Sequence, residues 1–241
     1  MIQRLAEQDT HRPETRSENI WVVVPAYNEG SRVAKTLASL RTRFANVVVV
    51  DDGSSDATAR VAGECPGVWV LSHVINSGQG AALQTGIDFA LQHDADVIVT
   101  FDADGQHAVE DIDLLVQPIL SDEADVALGS RFLGRTVGMP LSRRLLLKGA
   151  VVFTRVFSRI RVTDTHNGIR ALSRRAAKAI RISLNRMAHA SEILDQIRKH
   201  QLRYVEVPVT IHYSDETLEK GQGAWNSIRI VGHLFLSRLI K

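Results

Sequence analysis

Val97-Ile98-Val99-Thr100-Phe101 is an apolar run that stops abruptly at Asp102-Ala103-Asp104, two carboxylates one residue apart, followed by Gly105, Gln106 and His107. A run that stays apolar instead of alternating reads as a strand buried on both faces, which belongs in a parallel sheet. The carboxyl ends of such strands are where open α/β sheets hold their ligands. Two anions placed there repel each other unless a cation sits between them. Magnesium or manganese suits that position, because hard divalent ions take oxygen ligands and often share them with a substrate's phosphates. The stretch predicts a metal–phosphate site at the mouth of an α/β sheet.

The same device recurs along the first half of the chain. Trp21-Val22-Val23-Val24 is stopped by Pro25 and opens into Ala26-Tyr27-Asn28-Glu29-Gly30, a loop with Ser31 as N-cap of a helix to about Arg43. Val47 to Val50 ends in Asp51-Asp52-Gly53-Ser54-Ser55-Asp56, a turn that leads into another helix. A brief strand near Val68–Leu71 precedes a Gly/Asn/Ser loop, His73 to Gly80. Ala81 to Leu91 is a helix whose small residues allow close packing on a sheet, and a further helix lies around Glu110–Leu120. A strand at Asp125–Gly129 ends in Ser130-Arg131. Strands alternating with helices predict a Rossmann-like, mostly parallel central sheet covered by helices on both faces. Any one polar strand end is an ordinary turn; four along one edge make a site.

After Arg131 the character changes. Ser142 to Ile160 reads as a helix with Leu145, Leu146, Phe153, Val156, Phe157 and Ile160 on one arc and Arg144, Lys148, Arg155 and Arg159 beside it. A helix lying in a membrane interface has that profile, and so does an amphipathic core helix with a solvated basic face. Trp225 to Lys241 repeats the theme. A helix from about Ser173, a second one beginning at Met187–Leu194 and a strand from Tyr204 to His212 lie between, with Tyr213 to Ala224 as a loop.

Charge divides the chain. Residues 1–130 carry 8 Lys/Arg against 20 Asp/Glu, and residues 131–241 carry 21 against 7. The basic half is expected to face something anionic. Nucleic acid is not the expected partner, since no basic, aromatic-rich strand or nucleic-acid motif is present; phosphorylated substrates or an anionic membrane surface suit the pattern better. A single cysteine, Cys65, permits no internal disulfide and fits a reducing compartment. Residues 1–19 are polar, without a signal-peptide core, and read as a poorly ordered arm. No stretch reaches the roughly 18 apolar residues of a membrane span. Residues 20–241 read as one domain, with an acidic half to residue 131 and a basic half beyond it.

Taken in order, these pieces resemble the family 2 glycosyltransferases of GT-A fold, within them the dolichyl- or polyprenyl-phosphate sugar synthases. Val24-Pro25-Ala26-Tyr27-Asn28-Glu29, Val50–Asp56, Asn76-Ser77-Gly78-Gln79-Gly80, Phe101–His107, Gly129-Ser130-Arg131, Asp164–Leu172 and Glu206-Val207-Pro208-Val209 carry the resemblance. It implies a nucleotide-diphosphate sugar as donor, bound by Pro25, Ala26, Tyr27, Glu29, Asp51, Asp52, Asn76, Gly80, Asp102 and Ala103. Tyr27 would pack on base or ribose, Glu29 take ribose hydroxyls, Asp51 accept from a base N–H, and the Asn76–Gly80 loop bring backbone close to the nucleotide. Asp102 and Asp104 resemble the family's DxD motif, with Asp102, Asp104 and Gln106 as ligands of Mg2+ or Mn2+. The metal neutralises the departing diphosphate.

Members of the family invert the anomeric centre by direct displacement. A sugar-hydroxyl acceptor needs a general base, whereas a phosphate acceptor is already ionised. Glu192 is the candidate base, with Asp195 and Asp164 behind it, although an acid in the first turn of a helix is also what the dipole favours. Arg131, Arg143 and Arg144 suit an acceptor phosphate, and Lys220 lies in the segment placed as the family's mobile acceptor loop. His107, His166 and His189 read as hydrogen-bonded loop histidines ahead of metal ligands. The expected acceptor is polyprenyl phosphate at the cytoplasmic face of the membrane, with a hydroxyl of a lipid-linked or envelope glycan as the alternative. Membrane contact is expected to be peripheral, and a membrane-protein partner or self-association stays open. A haloacid-dehalogenase-like phosphatase lacks its later paired-Asp motif here. A nucleotidyltransferase lacks its Gly-rich basic loop, and a non-catalytic binding module would be expected to lose one carboxylate of the pair.

Overall fold

A computed structural model describes residues 19–141, 144, 147–149, 151, 160–184 and 188–213. Seven strands form one sheet: β1 (Ile20–Ala26), β2 (Asn46–Asp51), β3 (Val68–Ser72), β4 (Val97–Thr100), β5 (Val126–Val137), β6 (Arg170–Ser173) and β7 (Tyr204–His212). Their order is β3-β2-β1-β4-β6-β5-β7. Every neighbouring pair is parallel except those made by β6, which runs antiparallel between β4 and β5.

The unbroken apolar strands have the predicted cause. Val22, Val24, Val47, Val49, Val97 and Val99 enter one core with Leu37 and Leu40 of α1 (Val33–Arg41) and Ile112 and Leu115 of α4 (Asp111–Leu120). Their alternates Val23, Val48 and Ile98 enter a second core on the opposite face. There they meet Leu83, Ile87 and Ala90 of α3 (Gln79–Gln92), Ala176 and Ala177 of α5 (Arg174–Ala179), and Ile193, Leu194 and Ile197 of α6 (Ala188–Lys199). A short α2 (Thr58–Gly63) follows β2. The small residues of α3 allow the close approach expected of them: a methyl group on Gly86 would lie 2.3 Å from Val23 Cγ1.

Three expectations are corrected. Helix α1 begins at Val33, and Ser31 does not cap it; its first free N–H groups, of Arg32 and Val33, bond the Glu29 carbonyl. Strand β5 runs past Arg131 to Val137, because after a register shift it resumes pairing with β7. Finally, Arg170–Ser173 is a central strand where the sequence suggested only a connection into a helix. That helix does start where expected, with the Ser173 hydroxyl accepting from the Ala176 N–H at 3.1 Å. Most of the basic amphipathic segment 142–160, and all of 214–241 with Lys220, lie outside the described residues, as does Arg143. The 1–19 arm is described only at Asn19. Among the described residues no helix is long and apolar enough to cross a membrane.

Candidate active site

The chain order reverses direction between β1 and β4, the switch point at which doubly wound sheets open a crevice beyond the strand ends. A cleft of about 750 Å³ lies there, within the size range of small-molecule sites. Pro25 and Ala26 at the end of β1, with Tyr27 and Glu29 just beyond, form one wall; Asp52 closes the β2 side; Asn76 and Gly78 come from the loop before α3, and Gln79 and Ala82 from its first turn; Asp102, Ala103 and Asp104 form the remaining wall.

The first two strand ends are laced together. Asn28 N–H donates to Ser54 Oγ at 2.9 Å, Ser55 N–H to Asn28 Oδ1 at 3.0 Å, and Glu29 N–H to Thr58 Oγ1 at 2.8 Å. This leaves Tyr27 47% exposed at the rim, where a ring can take a flat partner. Asp51 is buried; one carboxylate oxygen accepts from Ser54 N–H, and the other is buried without a partner. A buried, unsatisfied acceptor costs the fold free energy, and Asp51 is not among the residues lining the cleft.

The DxD pair is asymmetric. Asp102 is held from both sides: Gln79 Nε2 donates to Oδ1 at 3.0 Å and His107 Nε2 contacts Oδ2 at 3.2 Å. A methyl group on Gly168 would fall 1.9 Å from Oδ2, so only glycine lets the 166–170 segment pass over this carboxylate. Burial would raise the Asp102 carboxyl, but the hydrogen bond and charge of His107, with Arg170 and His189 nearby, outweigh it and hold it below the usual range. Among the described residues Asp104 receives only the Gln106 N–H, at 3.0 Å. Burial, and then repulsion from Asp102, push its carboxyl up to about 6. The pair therefore has one oriented anion and one carboxylate short of positive charge. Among the described residues no three His, Cys, Asp or Glu side chains form a metal cage. Two carboxylates facing a cleft are the donor set of an ion that completes its shell with phosphates and water, as Mg2+ commonly does. The residues fit such an ion.

Other expected residues stand elsewhere. Asp52 borders the cleft, yet its oxygens accept from Ser77 N–H at 2.9 Å and Gly78 N–H at 2.7 Å. Gly80 is small for the protein's own sake: a methyl group there would lie 2.2 Å from the Leu184 carbonyl. Gln106 serves through its backbone, since its N–H meets Asp104, its carbonyl accepts from His212 N–H at 2.9 Å, and its side chain is not among those lining the cleft. Arg131 is 8% exposed and fully engaged: Nε donates to Asp164 Oδ2 at 2.6 Å, Nη1 to Tyr213 Oη at 2.7 Å and Nη2 to the His166 carbonyl at 3.0 Å. Glu192 accepts from the N–H groups of Ser183 and Leu184 at 3.0 and 2.8 Å, and from the Ser183 hydroxyl, fastening the 182–184 segment over α3. Arg144 is exposed. Burial, with Arg131 and Arg170 close by, drives His166 down to about 4, so its ring is neutral.

Gln79, Gly168 and Arg170 were not singled out from sequence. Arg170 is 4% exposed on β6, with Nη1 buried and unpartnered, and its charge acts on Asp102. A Gly-Ile-Arg triplet gave no sign of this, because the strand carrying it was itself unrecognised.

Over 243 residues the chain is 30% identical to the UDP-N-acetylglucosamine–dolichyl-phosphate N-acetylglucosaminyltransferase of Methanococcus voltae, covering 92% of this chain and 97% of that one. It is 31% identical to the undecaprenyl-phosphate mannosyltransferase of Micrococcus luteus, covering 79% and 82%. The crystal structure of Mycobacterium tuberculosis glucosyl-3-phosphoglycerate synthase with Mn2+ and UDP-glucose shares the fold at a TM-score of 0.67, with 21% identity over 92% of this chain and 79% of that one. Residues 21–181, which include every residue lining the cleft, match the family described as Glycosyl transferase family 2, and the chain belongs to that family.

Proposed function

We propose that this glycosyltransferase moves a hexose from a nucleotide-diphosphate sugar to a polyprenyl phosphate, with inversion and with the help of Mg2+ or Mn2+, working as a peripheral protein at the cytoplasmic face of the membrane. The observation that carries the reading is the asymmetric Asp102/Asp104 pair on a cleft large enough for a nucleotide sugar. Relatives named for dolichyl- and undecaprenyl-phosphate transfer support the acceptor, and fold neighbours crystallised with Mn2+ or Mg2+ and UDP support the metal and donor class.

In this reading Tyr27 packs on the base or ribose and Glu29 accepts from ribose hydroxyls. Asn76 and Ala103 shape the wall. Asp104, with Asp102, holds the metal; when bound, that ion offsets the charge of the diphosphate as it leaves. The grip of Gln79 and His107 on Asp102 fixes that carboxylate before the donor arrives, so it needs little reorganisation during transfer. An ionised phosphate acceptor needs no general base. That favours it over a glycan hydroxyl, because Glu192 and Asp164 already accept the hydrogen bonds of their neighbours.

A thermal-shift screen of UDP-, GDP- and dTDP-sugars with and without Mn2+ should find one matched donor that stabilises the chain strongly only with metal. Replacing Asp104 by Ala should abolish that shift and the transfer of sugar to polyprenyl phosphate. Full activity in D104A would sink the mechanism.

A further inference from the structure

The loop from His73 to Gly78 supplies Asn76 and Gly78 of the cleft wall and leads into Gln79 of α3, yet apolar burial does not hold it. Val74 is 99% exposed and Ile75 71%. Its anchors are polar. Asp52, 3% exposed, takes Ser77 N–H on Oδ1 and Gly78 N–H on Oδ2. Gly78 itself sits at φ +94°, a conformation that only glycine adopts without strain. His73 completes the clamp. Its backbone N–H donates to the Asp51 carbonyl at 2.9 Å; its Nδ1 lies 2.8 Å from Asp52 Oδ1; its Nε2 lies 3.0 Å from Thr85 Oγ1, one helical stretch along α3.

We propose that His73 is a positioning residue for donor binding: it holds Asp52 in the orientation that fixes the Ser77–Gly78 backbone, and so sets the α3 wall of the cleft without touching the donor. The inference rests on the nucleotide-sugar reading of that cleft. Its chemistry is simple. Two loop N–H groups already take one Asp52 oxygen each; a third donor, on Oδ1, braces the carboxylate against moving with the loop it holds. Nδ1–H supplies that donor, and the ring is in turn fixed by the Thr85 hydroxyl, which can donate or accept. This ties the end of β2, the loop and α3 into one unit by hydrogen bonds to a charged acceptor, which are stronger than neutral ones.

Two substitutions separate the two bonds of the ring. His73→Asn puts an amide N–H where Nδ1 stood and keeps the bond to Asp52; His73→Gln reaches Thr85 and gives it up. The full-length chain is titrated calorimetrically with UDP, GDP and dTDP in Mn2+, and amide hydrogen exchange is followed over residues 73–79 without nucleotide. We expect H73N to keep the wild-type affinity within about threefold and H73Q to bind about tenfold more weakly, the scale of one charge-assisted hydrogen bond. Exchange at Ser77 and Gly78 should accelerate in H73Q alone, and both variants should melt within a few degrees of wild type. Equal affinities for wild type and H73Q, or H73N binding as weakly as H73Q, would overturn the role. If wild type binds none of the three nucleotides, the donor reading fails. Exchange still decides the clamp in that case: protection at Ser77 and Gly78 unchanged in H73Q refutes it.

Discussion

Asp104 carries the cost of the site at the level of a single residue. Its folded-state carboxyl titrates at about 6, against 3.8 for an unperturbed one. A group raised on folding contributes stability that is complete below its unfolded value and lost as pH rises through its folded value, here over the window from about 4 to 6. In chelator-containing buffer Asp104→Asn should therefore stabilise the chain at pH 8, by about 2–3 kcal/mol if the whole shift is relieved, and hardly at all at pH 4. Melting curves of both proteins at the two pH values check it; an equal effect at both would show that the carboxylate is not strained. Gly168 is the complementary case. With a methyl group 1.9 Å from Asp102 Oδ2, Gly168→Ala must displace either the carboxylate or the 166–170 segment, at about 1–3 kcal/mol for an overpacked interior position. Metal-dependent nucleotide binding, measured by calorimetry, should fall with it. The carboxylate pair was plain in the sequence because strand, acid and glycine are adjacent there. Gly168 was not, since its reason lies 66 positions away in Asp102.

At the level of elements, what was legible followed burial. Strands β1, β2 and β4 are apolar at nearly every position because both faces of the sheet are covered. β6 escaped because Arg-Ala-Leu-Ser is four residues long and opens with a charge. Burial works against that charge, and the carboxylates of Asp102 and Asp164 offset part of the cost. The segment 182–184 shows a similar limit. Nothing local marks it as a strap, yet Ile182 N–H donates to Gln84 Oε1 at 2.7 Å and the Glu192 carboxylate gathers the two N–H groups that follow. Glu192 thus has structural work that a side-chain amide can partly continue. Glu192→Gln should keep turnover within about tenfold, whereas removal of a true general base typically costs about 10²–10⁴. Steady-state transfer to polyprenyl phosphate decides: a loss of a thousandfold would restore Glu192 as the base.

Over the whole molecule the acidic and basic halves divide the work. Among the described residues the cleft is lined by Glu29, Asp52, Asp102 and Asp104 and by no Lys or Arg, so the donor's diphosphate meets four carboxylates. That arrangement makes binding depend on a cation, since an anion entering an anionic cleft is repelled unless something offsets the charge. The second half, with 21 basic against 7 acidic residues, carries the opposite field. Arg144 and Lys148 are exposed, and in sequence they fall in register with Arg155 and Arg159. If that half holds the protein on a membrane, association should track the lipid's charge and not its chain length. Vesicles with phosphatidylglycerol should bind the chain, neutral ones should not, and binding should fall steeply as ionic strength rises and the Debye length shrinks to about 8 Å near physiological salt. Changing Arg144, Lys148, Arg155 and Arg159 together to Gln should remove roughly 1 kcal/mol of attraction per charge. It should leave nucleotide binding intact, because neither Arg144 nor Lys148 lines the cleft. Sedimentation with vesicles and calorimetry with nucleotide, run on the same variant, separate the two surfaces: vesicle binding that survives all four changes would place the membrane contact elsewhere.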